Sequence, residues 1–234
     1  MKLDLFKRKP IIVCIHGYGI RRTHEFTELH AFLSKKGYIC LMPELFDQTD
    51  MNDTNPAIWI QRAYDAIEAA LFKNRRVIVI GFSMGGVIAS SIAAKYPIDK
   101  LVLLAPAFEY VTLRLVKDLV TSKVAKRWIK PIVQQGNYPP LPEHFNNTFT
   151  EVVAMCKNSV ADIQCPTLIL HGASDEVIPL RSSDYVYQNI SSQYKKRIIL
   201  SNVAHRLLDD PFYQSDCFQL ILNHIQLTKK QLQI

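Results

Sequence analysis

"VIGFSMGG", residues 79–86, sets a serine between two glycines at the end of the apolar run Val77–Ile80. It has the form G-x-S-x-G, in which a sharp strand-to-helix turn lifts the serine hydroxyl above the edge of a sheet. Side chains at Gly81 or Gly85 would collide with a neighbouring strand or helix. Gly86, Ala89, Ser90 and Ala93 then keep the following helix slim enough to lie close on the sheet. Ser83 is therefore read as a nucleophile held on a tight turn.

Working outward, short apolar runs alternate with helical patterns along most of the chain. Strands are expected at Ile11–Ile15, Tyr38–Leu41, Val77–Ile80, Leu101–Leu104, Thr167–Leu170 and Arg197–Leu200. Several are unbroken in Val, Ile and Leu, which suits parallel strands covered on both faces. Helices are expected at Glu25–Lys36, Pro56–Lys73, Met84–Tyr96, Arg181–Ile190 and Pro211–Gln226. The alternation predicts an α/β fold, one domain over residues 1–234, with about six mostly parallel strands and helices on both faces.

The rhythm breaks once. More than fifty residues between Ala105 and Asp162 carry no strand pattern, and an insertion of that length inside a compact domain is usually functional. Residues 107–159 are expected to form a helical cap. The cap offers Phe108, Tyr110, Val111, Leu115, Leu119, Trp128, Ile129 and Phe145 as apolar surface. Arg114, Lys117, Lys123, Lys126, Arg127 and Lys130 make a basic face, read as solvated in preference to membrane-binding.

Bulk properties narrow the function class. The net charge is +7, but Lys and Arg are scattered and no nucleic-acid-binding motif accompanies them, so no nucleic acid partner is expected. No apolar run reaches membrane-spanning length, and the first ten residues do not read as a signal peptide. Five cysteines without a CxxC pair fit a reduced, cytoplasmic protein with no zinc site.

In an open parallel sheet, ligands gather outside the carboxyl ends of the strands. His16-Gly17-Tyr18-Gly19, Gly81–Gly86, His171–Asp175 and Ser201–His205 all fall there. A serine hydroxyl needs a base, and the base needs an orienting carboxylate. His205 and Asp175 follow later strands, in the chain order Ser, Asp, His. Glu176, Asp209 and Asp210 are the rival carboxylates. His16 and His171 read as structural strand-end histidines. The oxyanion donors are expected from the backbone N–H groups of Met84 and Tyr18.

Together "HGYG", "GFSMGG", "LILHGASDEVIP" and "NVAH" resemble the serine-hydrolase branch of the α/β-hydrolase superfamily, above all small carboxylesterases and monoacylglycerol-lipase-like enzymes. The resemblance runs from Pro10 to the C-terminal helix. It implies Ser83 as nucleophile, Asp175 as orienting acid, His205 as base, and the Tyr18 and Met84 amides as the oxyanion hole. It implies no metal and no organic cofactor. The expected reaction is hydrolysis of short- to medium-chain acyl esters, monoacylglycerols among them, with activity rising as His205 loses its proton near the ordinary histidine pKa of about 6.5. Thioester or peptide hydrolysis by the same residues stays open, with Glu109, Glu143 or Glu151 then holding a substrate amino group. So does ligand binding without catalysis. Oligomeric state is not legible.

Overall fold

Alternation along each strand decides which helix covers which face of the sheet. In β1 (Ile11–Ile15), Ile11, Val13 and Ile15 join one core cluster, while Ile12 and Cys14 join a second. β3 (Val77–Phe82) and β4 (Lys100–Leu104) divide in the same way. All three strands are buried along their whole length. Both faces are thus covered, as the unbroken apolar runs require.

The computed structural model describes residues 8–19, 22–109 and 144–232. Among them β2 (Ile39–Leu41), β5 (Thr167–Gly172) and β6 (Lys195–Leu200) complete a six-stranded sheet in the order β2-β1-β3-β4-β5-β6. Every neighbouring pair is parallel. Lys195, Lys196 and Arg197 open the edge strand β6, where charge discourages pairing with another chain.

From β1 the chain moves outward to β2 and then crosses back over β1 to β3. The first connection carries α1 (Thr27–Lys35), packed through Leu29 and Leu33 in one core cluster. The second carries α2 (Pro56–Phe72), packed through Trp59, Ala63 and Ile67 in the other. The direction of winding reverses beside β1, the position at which ligands gather in open parallel sheets. α3 (Met84–Lys95) and α5 (Leu180–Asn189) share the face of α2, and α6 (Gln214–Gln226) shares that of α1.

Two helices start two or three residues later than expected, each for a local reason. A 3-10 turn at Arg22–Phe26 precedes α1, burying Phe26 and bringing the Glu25 carboxyl to the Gly17 N–H at 2.9 Å. Asp210 accepts from the N–H groups of Phe212 and Tyr213, so Pro211 belongs to a turn and α6 starts at Gln214. Within the region expected as a helical cap, the described residues form α4 (Phe145–Cys156), whose bounds the sequence pattern does not give. It buries Phe145, Phe149, Val152 and Val153 in the same cluster as α2 and α3. Burying such side chains is worth roughly 1.5–3 kcal/mol each, so α4 is part of the core. Between it and β5 lies a second 3-10 segment, Lys157–Asp162, and a short helix, α7 (Lys229–Leu232), follows α6.

Most of the expected cap, including Tyr110, Val111, Leu115, Leu119, Trp128, Ile129 and all six cations of the basic face, lies outside the described residues. No helix among the described residues is long and apolar enough to cross a membrane.

Candidate active site

Ser83 is the residue between β3 and α3, and its backbone is held at φ 53° and ψ −119°. A positive φ at a non-glycine residue costs on the order of 1–3 kcal/mol and persists only where the surroundings enforce it. Here they do. Ser83 N–H donates to Leu104 O at 2.9 Å, and Ser83 O accepts from Gly86 N–H at 2.9 Å and Ala107 N–H at 3.1 Å. The end of β4 and the first turn of α3 thus grip the turn from both sides.

Gly85 shows why that turn tolerates no side chain. A Cβ there would stand 2.1 Å from Ile15 O and 2.4 Å from His16 O. The close approach seats the first turn of α3 against the end of β1. Register agrees, since Ile15 pairs with Gly81 and Gly17 comes to rest beside Ser83.

His205 arrives from the loop after β6. Asn202 takes a positive φ of 60° in that loop, a conformation Asn tolerates well. Val203 O accepts from Ser174 N–H at 3.0 Å, tying the loop to the one after β5. A Cβ on Gly172 would lie 2.1 Å from Val203 O, so glycine is what permits this contact.

The three side chains meet in a line. His205 Nε2 lies 3.2 Å from Ser83 Oγ, and His205 Nδ1 lies 2.8 Å from Asp175 Oδ2. An ionised carboxylate only accepts, so the His205 proton sits on Nδ1 and the Nε2 lone pair faces the serine hydroxyl. Ser83 is 6% and His205 8% exposed, and the Phe82 ring packs on the imidazole with centroids 4.9 Å apart. Burial alone would raise the Asp175 carboxyl. Hydrogen bonds from His171 and His205, the charge on His205 and the Ile178 N–H outweigh it and hold the carboxyl well below the usual range. Such a line can take the serine proton and return it to a leaving group.

The rival carboxylates have other partners. Glu176 accepts from the backbone N–H of His205 at 3.2 Å, Asp209 pairs with Arg206, and Asp210 serves the turn before α6. His16 is fully buried, its Nδ1–H donating to Gly17 O at 2.7 Å and its Nε2 accepting from Leu45 N–H at 3.0 Å. Burial pushes its pKa down to about 4, against the Gly17 hydrogen bond and with help from Arg22. It is a neutral structural histidine, as read from the sequence.

Met84 is the first residue of α3, where backbone N–H groups have no partner within the helix. Tyr18 sits in the loop after β1 and follows Gly17, which lies beside Ser83. Its hydroxyl donates to Asn146 Oδ1 at 2.7 Å and its ring stacks on Phe149 with centroids 5.2 Å apart, both partners on α4. Neither this clamp, nor the Glu25 bond to Gly17, nor the packing of Phe82 on His205 is marked by any motif. Glu109 already has two cations, Arg181 at 2.8 Å and Lys157 at 4.0 Å. Among the described residues, no cluster of three His, Cys, Asp or Glu side chains is placed to hold a metal ion.

Comparison with known proteins gives the chain's family. The family model described as serine aminopeptidase, S33, matches residues 60–141 and 138–212, more than half of the chain. Human serine hydrolase BPHL is 30% identical over 159 residues, covering 58% of this chain and 52% of that protein. The chain thus matches about half the length of that relative. The thermostable monoacylglycerol lipase of Bacillus sp. strain H-257 is 23% identical over 207 residues, covering 83% of this chain and 82% of the lipase. Among solved structures, a chain from the work on the metagenome-derived lipolytic enzymes LipS and LipT superposes with a TM-score of 0.72 at 16% identity, over 93% of this chain and 94% of that one. The chain belongs to the family of that model, with the α/β-hydrolase fold, and is related to serine hydrolases that include monoacylglycerol lipases, esterases and BPHL.

Proposed function

We propose that the protein hydrolyses small acyl esters, of short to medium chain length, through an acyl-enzyme on Ser83. The observation that carries this is the unbroken line from Ser83 Oγ through His205 to Asp175, on a turn whose strained backbone is gripped from both sides. His205 accepts the hydroxyl proton as Ser83 Oγ bonds to the acyl carbon. The oxyanion is received by the N–H groups of Met84 and Tyr18, each such donor being worth roughly 3–4 kcal/mol in the transition state. His205 then protonates the departing alcohol. Water, deprotonated by the same imidazole, releases the carboxylic acid and restores the serine.

Ester hydrolysis is preferred over aminopeptidase action because of the carboxylates. Capture of a substrate amino group needs an acid with charge to spare, and Glu109 is already between two cations. Glu151 is exposed on α4, and Glu143 lies outside the described residues. The lipolytic relatives support the same choice, with monoacylglycerols as one candidate substrate class. The connection from β4 to β5 leaves the sheet at the edge that bears Ser83, which supports a covering role for the insertion at 107–159, with α4 as its footing in the core.

The test is a series of p-nitrophenyl esters from two to sixteen carbons, run beside aminoacyl p-nitroanilides and acyl thioesters. The expected result is turnover centred on short and medium esters with little on the anilides. Faster turnover of the anilides than of every ester overturns the proposal. Activity climbing steeply beyond twelve carbons overturns the chain-length assignment.

A further inference from the structure

Asp175 is held by more than its partner in the line. His171, in β5 and fully buried, places Nε2 at 3.1 Å from Asp175 Oδ2 and 3.0 Å from Ile178 O. Both neighbours are acceptors, so Nε2 bears the proton. Nδ1 is buried and has no hydrogen-bond partner among the described residues. A second proton on this ring would be a buried donor without an acceptor, attached to a charge without water. His171 is therefore the neutral Nε2–H tautomer.

The consequence falls on the carboxylate. Oδ2 receives two imidazole N–H groups, from His205 at 2.8 Å and His171 at 3.1 Å. Oδ1 receives the backbone N–H groups of Val177 at 2.9 Å and Ile178 at 2.7 Å. Four donors fix the carboxylate in rotation and keep it ionised while His205 is the imidazolium. Without His171, the charge on Oδ2 has only His205 to face, and one restraint on its rotation is gone.

We infer that His171 is a positioning residue for the proposed reaction: by donating to the same Asp175 oxygen that holds His205, it fixes that carboxylate and limits how tightly the carboxylate holds a proton on His205. The inference rests on the hydrolase reading of the Ser83 site. The ionisable groups around the pair are Asp175, His205 and Glu176, the last bound to the His205 backbone N–H. Arg206, next in the chain, is matched by Asp209.

The test uses the full chain with p-nitrophenyl butyrate as probe. His171→Leu keeps bulk but removes the donor, and His171→Gln restores an N–H on a similar reach. In His171→Leu, kcat is expected to fall about 10- to 100-fold with KM within about twofold. The acid limb of the kcat/KM profile should move to higher pH by about half a unit, because the less shared carboxylate holds the imidazolium more tightly. His171→Gln should recover most of kcat and the original limb. A folded His171→Leu protein with wild-type kcat and an unmoved limb overturns the inference. So does a loss of kcat with an unmoved limb that His171→Gln fails to repair, since that is the signature of mere packing. Nitrogen-15 spectra of the wild type provide a reading independent of variant folding. His171 should carry its proton on Nε2 with Nδ1 bare under the assay conditions, and a bare Nε2 or a proton on Nδ1 overturns the inference. Fluorophosphonate labelling of the wild type separates the two levels. An unlabelled wild type removes the hydrolase reading and this inference with it, whereas a labelled wild type with an unaffected His171→Leu removes the inference alone.

Discussion

His205 can serve as base only while its proton stays on Nδ1, and Asp175 is what keeps it there. Replacing the acceptor oxygen by an amide allows the opposite tautomer, with Nε2 turned into a donor toward Ser83. Asp175→Asn should therefore lower kcat by about 10⁴-fold, as seen where a triad aspartate has been changed in this way. KM and the far-UV circular dichroism should stay near wild type. An Asn variant within tenfold of wild type would mean that another group orients His205. Tyr18 offers a milder perturbation. Tyr18→Phe keeps the ring stacked on Phe149 but deletes the bond to Asn146, at a cost of about 1 kcal/mol. If the Tyr18 amide is an oxyanion donor, kcat should drop severalfold and Asn146→Ala should reproduce the drop. Wild-type kcat in both variants would detach the α4 clamp from catalysis.

Elements meet at this site at backbone distance, which makes certain glycines indispensable. In Gly85→Ala the new methyl must displace the Ile15 and His16 carbonyls, pushing the end of β1 away from α3. A destabilisation of about 2–4 kcal/mol in urea unfolding is expected. Because those same carbonyls lead directly into the loop bearing Tyr18, activity should fall further than stability accounts for. Unchanged stability would contradict the packing of α3 on β1. The contrast between elements also explains what could be read in advance. β1, β3, β4 and β5 are legible because unbroken apolar runs of that length need cover on both faces, and Ser83, Asp175 and His205 because each lies in the loop or turn just after a strand. For α4, helical structure in the 107–159 insertion is legible but its bounds and its place in the core are not, since the face made by Phe145, Phe149, Val152 and Val153 is defined only by α2 and α3. The Tyr18–Asn146 and Glu25–Gly17 bonds are contacts between distant or irregular segments, for which no local pattern exists. His171–Asp175 escaped for another reason: a histidine at a strand end is ordinary, and only its distance to the carboxylate distinguishes it.

At the scale of the whole molecule, the buried histidines set how stability responds to acid. His16 and His224 are both pushed down to about 4, mainly by burial, from an ordinary value near 6.5. Between those values the unfolded chain binds more protons at these two sites than the native protein, so stability must fall as pH drops from 6.5 toward 4. Glu25 works the other way above pH 4.5, because burial pushes its carboxyl up to about 8 with the Gly17 hydrogen bond opposing. Two histidines against one carboxyl leave a net loss of one proton's slope on the acid side, and the carboxyl alone leaves a loss of the same slope from 6.5 to 8. Thermal unfolding across pH 4–8 should thus show its maximum Tm near pH 6.5, and a Tm that keeps rising toward pH 4 would contradict the neutral, buried state of both histidines. Activity depends on a narrower fact than stability, namely that the hydroxyl on the turn after β3 is activated. Intact-mass analysis after fluorophosphonate treatment, comparing wild type with Ser83→Ala, tests it most directly. The account predicts one adduct on the wild type and none on Ser83→Ala. A folded wild-type protein that takes no adduct, or an adduct that persists in Ser83→Ala, would contradict it.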